Sequence, residues 1–213
     1  MRLVAKKPGT QAKRAAPRPY HHGNLRETLL EAAIKLIAEV GPAGFPLREV
    51  ARRAGVSHNA PYRHFRDKDE LLAAVATQGF RELTQAMREA AELQPTALDR
   101  LKQSGLAYVA FALRRPEHFT VMFDARYPQA EYPECAAAGE ESFGTLVGFI
   151  AQSQQEGLLP PGDTQRRALV AWALVHGIAK LAITQRLPFK SKAEVLKFAE
   201  TAIAEPGPAI TGW

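Results

Sequence analysis

An all-α fold is predicted by three observations. Apolar residues recur at helical spacing in each long segment, as at Leu25, Leu29, Ala32 and Leu36. Helix breakers separate those segments: Gly41-Pro42, Pro95, Pro116, Gly157 and Pro160-Pro161-Gly162. Capping residues stand just ahead of apolar runs, at Asn24, Asp67, Asp163 and Ser191. Glu follows three places after Asn24, Asp67 and Ser191, the pattern of a capping box.

Residues 1–19 hold Arg2, Lys6, Lys7, Lys13, Arg14 and Arg18 with no acid, and Pro8, Gly9, Pro17 and Pro19 break any helix. They read as a disordered basic arm, either lying along phosphates or in a minor groove, or a solvated tail. His21 and His22 have no cysteine or third histidine at ligand spacing, so no metal site is expected. A first helix then runs from Asn24 to Gly41-Pro42, with Leu25, Leu29, Ala32, Leu36 and Val40 as its buried stripe.

The stretch from Pro46 to Phe65 reads as two short helices joined by a tight turn. Leu47, Val50 and Ala54 form one apolar stripe, and Ala51 is small enough for a second helix to cross closely. Gly55 suits the positive φ that ends a helix. Ser57 is placed to cap a second helix from His58 to about His64 through the N–H of Asn59 or Ala60. That helix shows His58, Asn59, Tyr62 and Arg63 on its outer face, with almost no acid nearby. Such a helix-turn-helix offers donors to base edges and phosphates of double-stranded DNA.

Asp67 and Glu70 open a long helix to about Glu92, with Leu71, Leu72, Val75, Phe80, Leu83 and Met87 as apolar positions. Leu98, Leu101, Leu106, Val109 and Leu113 outline the next helix, ending at Arg114. A short aromatic helix follows at 117–123. Residues 124–136 read as a loop, and a helix spans about 137–156 through Phe143, Leu146, Val147 and Ile150. Asp163 caps the most apolar segment, 168–184, which is marginal in length for a bilayer and contains His176 and Lys180. It reads as a helix buried in the body and across a dimer interface, with Gly177 permitting close approach. The last helix, 192–204, carries Val195, Leu196, Ala199, Ala202 and Ile203, and residues 205–213 read as a loose tail.

Charge is divided unevenly along the chain. Residues 1–68 hold 14 Lys+Arg against 5 Asp+Glu, and residues 69–213 hold 14 against 17. The positive half is the one with the helix-turn-helix, which favours a polyanion partner. The single cysteine, Cys135, forbids an intrachain disulfide, and the N-terminal stretch lacks a long apolar core, so a cytoplasmic, reducing setting is expected. There is no Walker-type loop, no Gly-x-Ser-x-Gly elbow and no His-Glu-x-x-His. Catalysis and a bound cofactor are therefore not expected.

The segment VARRAGVSHNAPYRHFRDKDELL resembles the signature of the TetR/AcrR family of transcriptional regulators. The resemblance covers roughly Tyr20 to Leu72 and is less specific beyond. Two positions depart from the commonest pattern: Pro46 replaces a Ser or Thr N-cap, and Pro61 fills an apolar slot and removes a backbone donor. The resemblance implies an all-helical homodimer with a three-helix DNA-binding head (20–66) and a ligand-binding and dimerisation body (67–204). DNA contacts are then expected from Arg48, Ser57, His58, Asn59, Tyr62, Arg63, His64 and Lys68. Asn59 and Arg63 are the candidate base readers, while Tyr62 and Lys68 are candidate phosphate contacts. The Trp-Ala-Leu-Val-His-Gly run at 172–177 resembles the Trp-His-Gly mark of one body type in this family. The family's enclosed cavity would draw on Tyr108, Phe111, Phe119, Met122, Phe123, Phe143, Trp172 and His176, and would take an apolar or amphipathic small molecule. The alternative is a constitutive DNA binder, which shares the head but not the cavity.

Overall fold

The described residues form eight α-helices and one 3-10 turn, with no strand among them: α1 (Leu25–Val40), α2 (Leu47–Ala54), the turn Pro61–Arg63, α3 (Lys68–Glu92), α4 (Ala97–Arg114), α5 (Pro116–Asp124), α6 (Pro133–Gln155), α7 (Thr164–Ile183) and α8 (Lys192–Ala204). The structure is a computed structural model that describes residues 25–125 and 127–205. The predicted basic arm, Asn24 with its cap, and nearly all of the predicted tail lie outside them.

In the head, α1 buries Leu29, Ala32 and Leu36, but Val40 at its end is 54% exposed, against expectation. Gly41 turns the chain at φ 75° and Gly44 folds back on Val40, where a Cβ would lie 2.9 Å from the Val40 Cβ. Helix α2 forms where predicted, with Leu47, Val50 and Ala51 buried and Gly55 in the left-handed conformation at φ 71°. Pro46 occupies its N-cap without a side-chain hydrogen bond, as its chemistry requires.

The second helix of the pair is not α-helical. Residues 61–63 form a 3-10 turn preceded by turns, and Ser57 offers no side-chain cap. Pro61 explains the change. It has no N–H to give the Ser57 carbonyl, which instead accepts from the Ala60 N–H at 2.9 Å. The i→i−3 pattern then continues, Arg63 to Ala60 and His64 to Pro61, before Phe65 returns to i→i−4. Pro61 and Phe65 are buried and hold the turn to the head's core.

Helix α3 is 25 residues long, about 37 Å, and runs from the head into the body without a break. Asp67 Oδ1 accepts from the Glu70 N–H at 2.8 Å, and Glu70 Oε2 accepts from the Arg66 N–H at 2.6 Å. Buried residues of α3 therefore belong to one hydrophobic core that extends from Leu29 to Ala199.

Helix α4 is the axis of the body and packs against α3, α5, α6, α7 and α8. Helix α6 starts at Pro133, four residues before the expected Ala137, because a proline's missing N–H costs nothing at the first helical position. Cys135, expected in a loop, is consequently a buried residue of its first turn. Helix α7 is less buried than its composition suggests: Leu169 is 52% and Leu181 46% exposed, and Phe198 on α8 is 41% exposed. A Cβ at Gly177 would meet nothing within 4 Å, so no element of the chain itself approaches it closely. No helix among the described residues is long and apolar enough to cross a membrane.

Candidate nucleic-acid face and body cavity

Arg48, Ser57, His58, Asn59, Tyr62, Arg63 and His64 are all exposed on the head. They lie on the first turn of α2 and on the irregular segment before and through the 3-10 turn. Arg48 and Arg63 form no ion pair among the described residues. By contrast, Arg52 is held by Glu49 at 2.6 and 2.8 Å, and Arg53 by Glu39 at 2.6 and 2.5 Å. Those pairs hold Glu39 and Glu49 below the usual carboxylate range, chiefly through hydrogen bonding to the guanidinium groups. The head thus carries two arginines neutralised on α2, Arg52 and Arg53, and two without an ion pair among the described residues, Arg48 and Arg63.

Lys68 is half-buried. Its Nζ lies 3.4 Å from the Ala43 carbonyl and 5.8 Å from the centre of the Phe45 ring. It stands in an open groove walled by Phe45, Pro46, Leu47, Tyr62, Arg66 and Asp67. The groove brings together the N-terminal ends of α2 and α3, whose dipoles favour an anion, with Arg66 and Lys68 beside them.

The body holds a half-open cavity of about 270 Å³ between α3, α4, α5, α6 and α7. Its wall is Phe80, Leu83 and Met87 of α3; Ser104, Gly105 and Tyr108 of α4; Phe123 of α5; Gly139, Ser142, Phe143 and Leu146 of α6; and Leu169, Trp172 and Val175 of α7. None of these side chains is charged. Four of the eight expected lining residues are there: Tyr108, Phe123, Phe143 and Trp172. Phe111 and Phe119 are fully buried core instead, and Met122 packs under α3. They fall on the faces of α4 and α5 that meet neighbouring helices, a distinction that helical spacing alone does not make.

His176 also stays outside the lining, but touches it through Tyr108. The Tyr108 hydroxyl lies 2.8 Å from His176 Nδ1 and 3.2 Å from Trp172 Nε1. The indole can only donate, so the tyrosine oxygen accepts from it, and with His176 as the Nε2–H tautomer the hydroxyl gives its own proton to Nδ1. Burial, with Lys180 nearby, holds His176 below its ordinary range and keeps it neutral for that role. Burial pushes the Tyr108 hydroxyl above the ordinary phenol range, so it remains a donor. His176 is also stacked 5.2 Å from Phe119 and set edge-on 4.7 Å from Phe123. Lys180, one turn on, pairs with Asp124 and ties α7 to α5.

The lining residues not anticipated are of two kinds. Phe80, Leu83, Met87 and Leu146 are apolar helix positions in the sequence, and Leu169 and Val175 belong to its apolar segment 168–184, while nothing in its apolar periodicity singles out Ser104, Gly105, Gly139 and Ser142. The small residues are the informative ones, because they leave the space. Their spacing, three apart on α6 and adjacent on α4, is the signal in the sequence that marks them.

Among the described residues, one buried side chain lacks a hydrogen-bond partner. His118 of α5 is 1% exposed and neither ring nitrogen has a hydrogen bond. Burial is the main influence on it and pushes its ring below the ordinary histidine range, so it sits neutral. It packs where α5 crosses Gly79 of α3; a Cβ there would lie 2.5 Å from Met122 Sδ and 3.1 Å from His118 Cβ.

A family model of bacterial regulatory proteins, tetR family, matches residues 29–75, and a model of the tetracyclin repressor-like C-terminal domain matches residues 101–205. Among solved structures, a protein with unknown function from Rhodococcus sp. RHA1 is 39% identical, with a TM-score of 0.76 over 88% of this chain and 97% of that one. A bacterial regulatory protein in the tetR family from Rhodococcus RHA1 is 20% identical, with a TM-score of 0.69 over 88% of this chain and 96% of that one. The transcriptional regulator FadR from Bacillus subtilis, solved in complex with stearoyl-CoA, is 15% identical, with a TM-score of 0.72 over 88% of this chain and 98% of that one. The last two show likeness of fold.

Proposed function

Because the chain belongs to the TetR family of DNA-binding transcriptional regulators, we propose that it is a ligand-responsive repressor that binds an inverted-repeat operator as a homodimer. One observation carries this reading. Helix α3 begins at Lys68 beside the exposed head residues, and the same rigid helix walls the body cavity through Phe80, Leu83 and Met87. Those side chains stand roughly 18 to 28 Å along one helix from Lys68. A ligand that prefers a cavity shape in which α3 is tilted would draw the head with it. A ligand with equal affinity for both shapes would shift nothing.

In this reading Asn59 and Arg63 read base edges, Arg48, Tyr62 and Lys68 hold phosphates, and Ser57, His58 and His64 complete the contact surface. Two copies would pair through α7 and α8, covering Leu169, Leu181 and Phe198, with Gly177 open to the partner. Two-fold symmetry would set the recognition segments one helical turn apart, about 34–36 Å. Trp172, His176 and Gly177 support assigning the body to the Trp-His-Gly type. The ligand is apolar or amphipathic, since the cavity wall is aliphatic and aromatic, and its polar side-chain groups are the Ser104, Ser142 and Tyr108 hydroxyls and the Trp172 indole. The bound acyl-CoA in the Bacillus subtilis structure is in keeping with that class.

The test begins with selection of bound sequences from random duplex DNA by the full chain, which should return an inverted repeat. Apolar compounds that raise the melting temperature should then release that DNA in a gel-shift titration. Compounds that stabilise the protein yet leave DNA binding untouched would make it a constitutive binder.

A further inference from the structure

A second cavity, of about 210 Å³, adjoins the first. It lies between α4, α6, α7 and α8, and shares Gly105, Leu146 and Val175 with the first cavity's wall. The two stack along one face of α4: Leu98, Leu101 and Gly105 face the second, Gly105 and Tyr108 the first. From Leu98 to Tyr108 is about 15 Å of helix. Gly105, Leu146 and Val175 border both chambers, and a Cβ on Gly105 would lie 3.4 Å from Val175 Cγ1 and 3.3 Å from Ile203 Cδ1.

The electrostatics of the two chambers differ. The first has no charged side chain in its wall. The second has one, Lys102, half-exposed and with no ion pair among the described residues. The remaining lining is Leu, Ile, Val, Ala and Gly. We propose that the ligand is a single-chain amphiphile with an anionic head, its head at Lys102 and its chain running through the second chamber, past Val175, into the first. This rests on the ligand-responsive reading above and specifies the molecule that the cavity takes.

The experiment is a chain-length series of straight-chain carboxylates and the matching primary alcohols, below their micelle concentrations, titrated calorimetrically into the full chain. Naphthalene serves as a compact apolar control. Each methylene that enters an apolar chamber should gain roughly fourfold in affinity, and the gain should continue beyond the length that fills one chamber. Lys102→Met, at the rim, should weaken carboxylates about fivefold and leave alcohols unchanged. Val175→Ala, which shortens a side chain bordering both chambers, should favour long chains over short ones. The series on the unaltered chain and on Lys102→Met stands even if Val175→Ala folds poorly. Affinity that stops rising at the same short length for both head groups, with Lys102→Met silent, would overturn the two-chamber ligand and leave the single cavity in place. Binding of naphthalene but of no carboxylate would also overturn it, again sparing the reading above. No binding by any probe would remove both.

Discussion

Tyr108→Phe removes one oxygen and no carbon, so its effect isolates the hydrogen-bonded trio in the body. The lost hydroxyl is the acceptor for Trp172 Nε1 at 3.2 Å and the donor to His176 Nδ1 at 2.8 Å. Leaving a buried donor or acceptor unmade costs about 1–3 kcal/mol. Tyr108 is 5% exposed, but Trp172 borders the cavity, where water can reach the indole, so the lower part of that range applies: about 1–2 kcal/mol. For a chain of this size that corresponds to a fall of roughly 2–8 °C in the melting temperature. Thermal unfolding followed by circular dichroism measures it, and tryptophan emission should shift as the indole loses its acceptor. The double variant Tyr108→Phe with Trp172→Phe should lose less than the two singles together, because the orphaned donor is gone. A melting temperature within 1 °C of the parent, with unchanged emission, would refute the trio as a structural unit. Strict additivity in the double variant would refute the Tyr108–Trp172 bond alone.

At the head, Lys68→Ala should weaken binding to all sequences alike and lower the salt slope by about 1 unit; an unaltered slope assigns Lys68 to the Ala43 carbonyl and Phe45 only. Asn59→Ala and Arg63→Ala should each lose about 1–3 kcal/mol on the selected operator and relax one base position, whereas equal losses on random DNA would make them backbone contacts. His118 and His176 are both held neutral below the usual histidine range, so the unfolded chain takes up protons first on acidification. Stability should be complete above the ordinary histidine value of 6.5 and fall below it, by at most about 1.4 kcal/mol per pH unit for each ring. His118→Leu should flatten that fall in denaturant titrations between pH 7.5 and 5.5 (roughly one unit either side of the ordinary histidine value), and an identical slope would exclude His118 as a contributor. Light scattering at micromolar concentration should give a dimer, and Leu169→Glu with Phe198→Glu should give a monomer; a monomeric parent chain would remove the two-fold operator as well.

Local signals in the chain determined most of the helical order. Breakers and caps act over a few residues, so Gly55, Asp67, Asp163 and Ser191 could be placed without knowing any neighbour, and each terminates or caps a helix as its chemistry requires. The exposed cationic residues of the head were legible for the same reason: a short polar helix-turn-helix has one face that cannot be buried. Where local chemistry was present but misread, proline was the cause. Pro133 permits a helix start that reads as a loop, and Pro61 withdraws one donor and converts an expected α-helix to a 3-10 turn.

Tertiary structure alone decided which aromatic residues are cavity and which are core. Phe111, Phe119, Phe123 and Phe143 share composition and helical spacing, yet two are sealed between helices and two face open space. That difference depends on what stands opposite, and the opposing groups come from helices far away in sequence. The cavity exists because Gly105, Gly139, Ser104 and Ser142 leave volume unfilled where α3, α4, α6 and α7 meet. The pairing of Tyr108 with His176 is equally a matter of packing, since 68 residues separate them and only the crossing of α4 and α7 brings the hydroxyl to the ring. A helix's own periodicity specifies which residues share a face; the shape of the space beyond that face belongs to the helices that confront it.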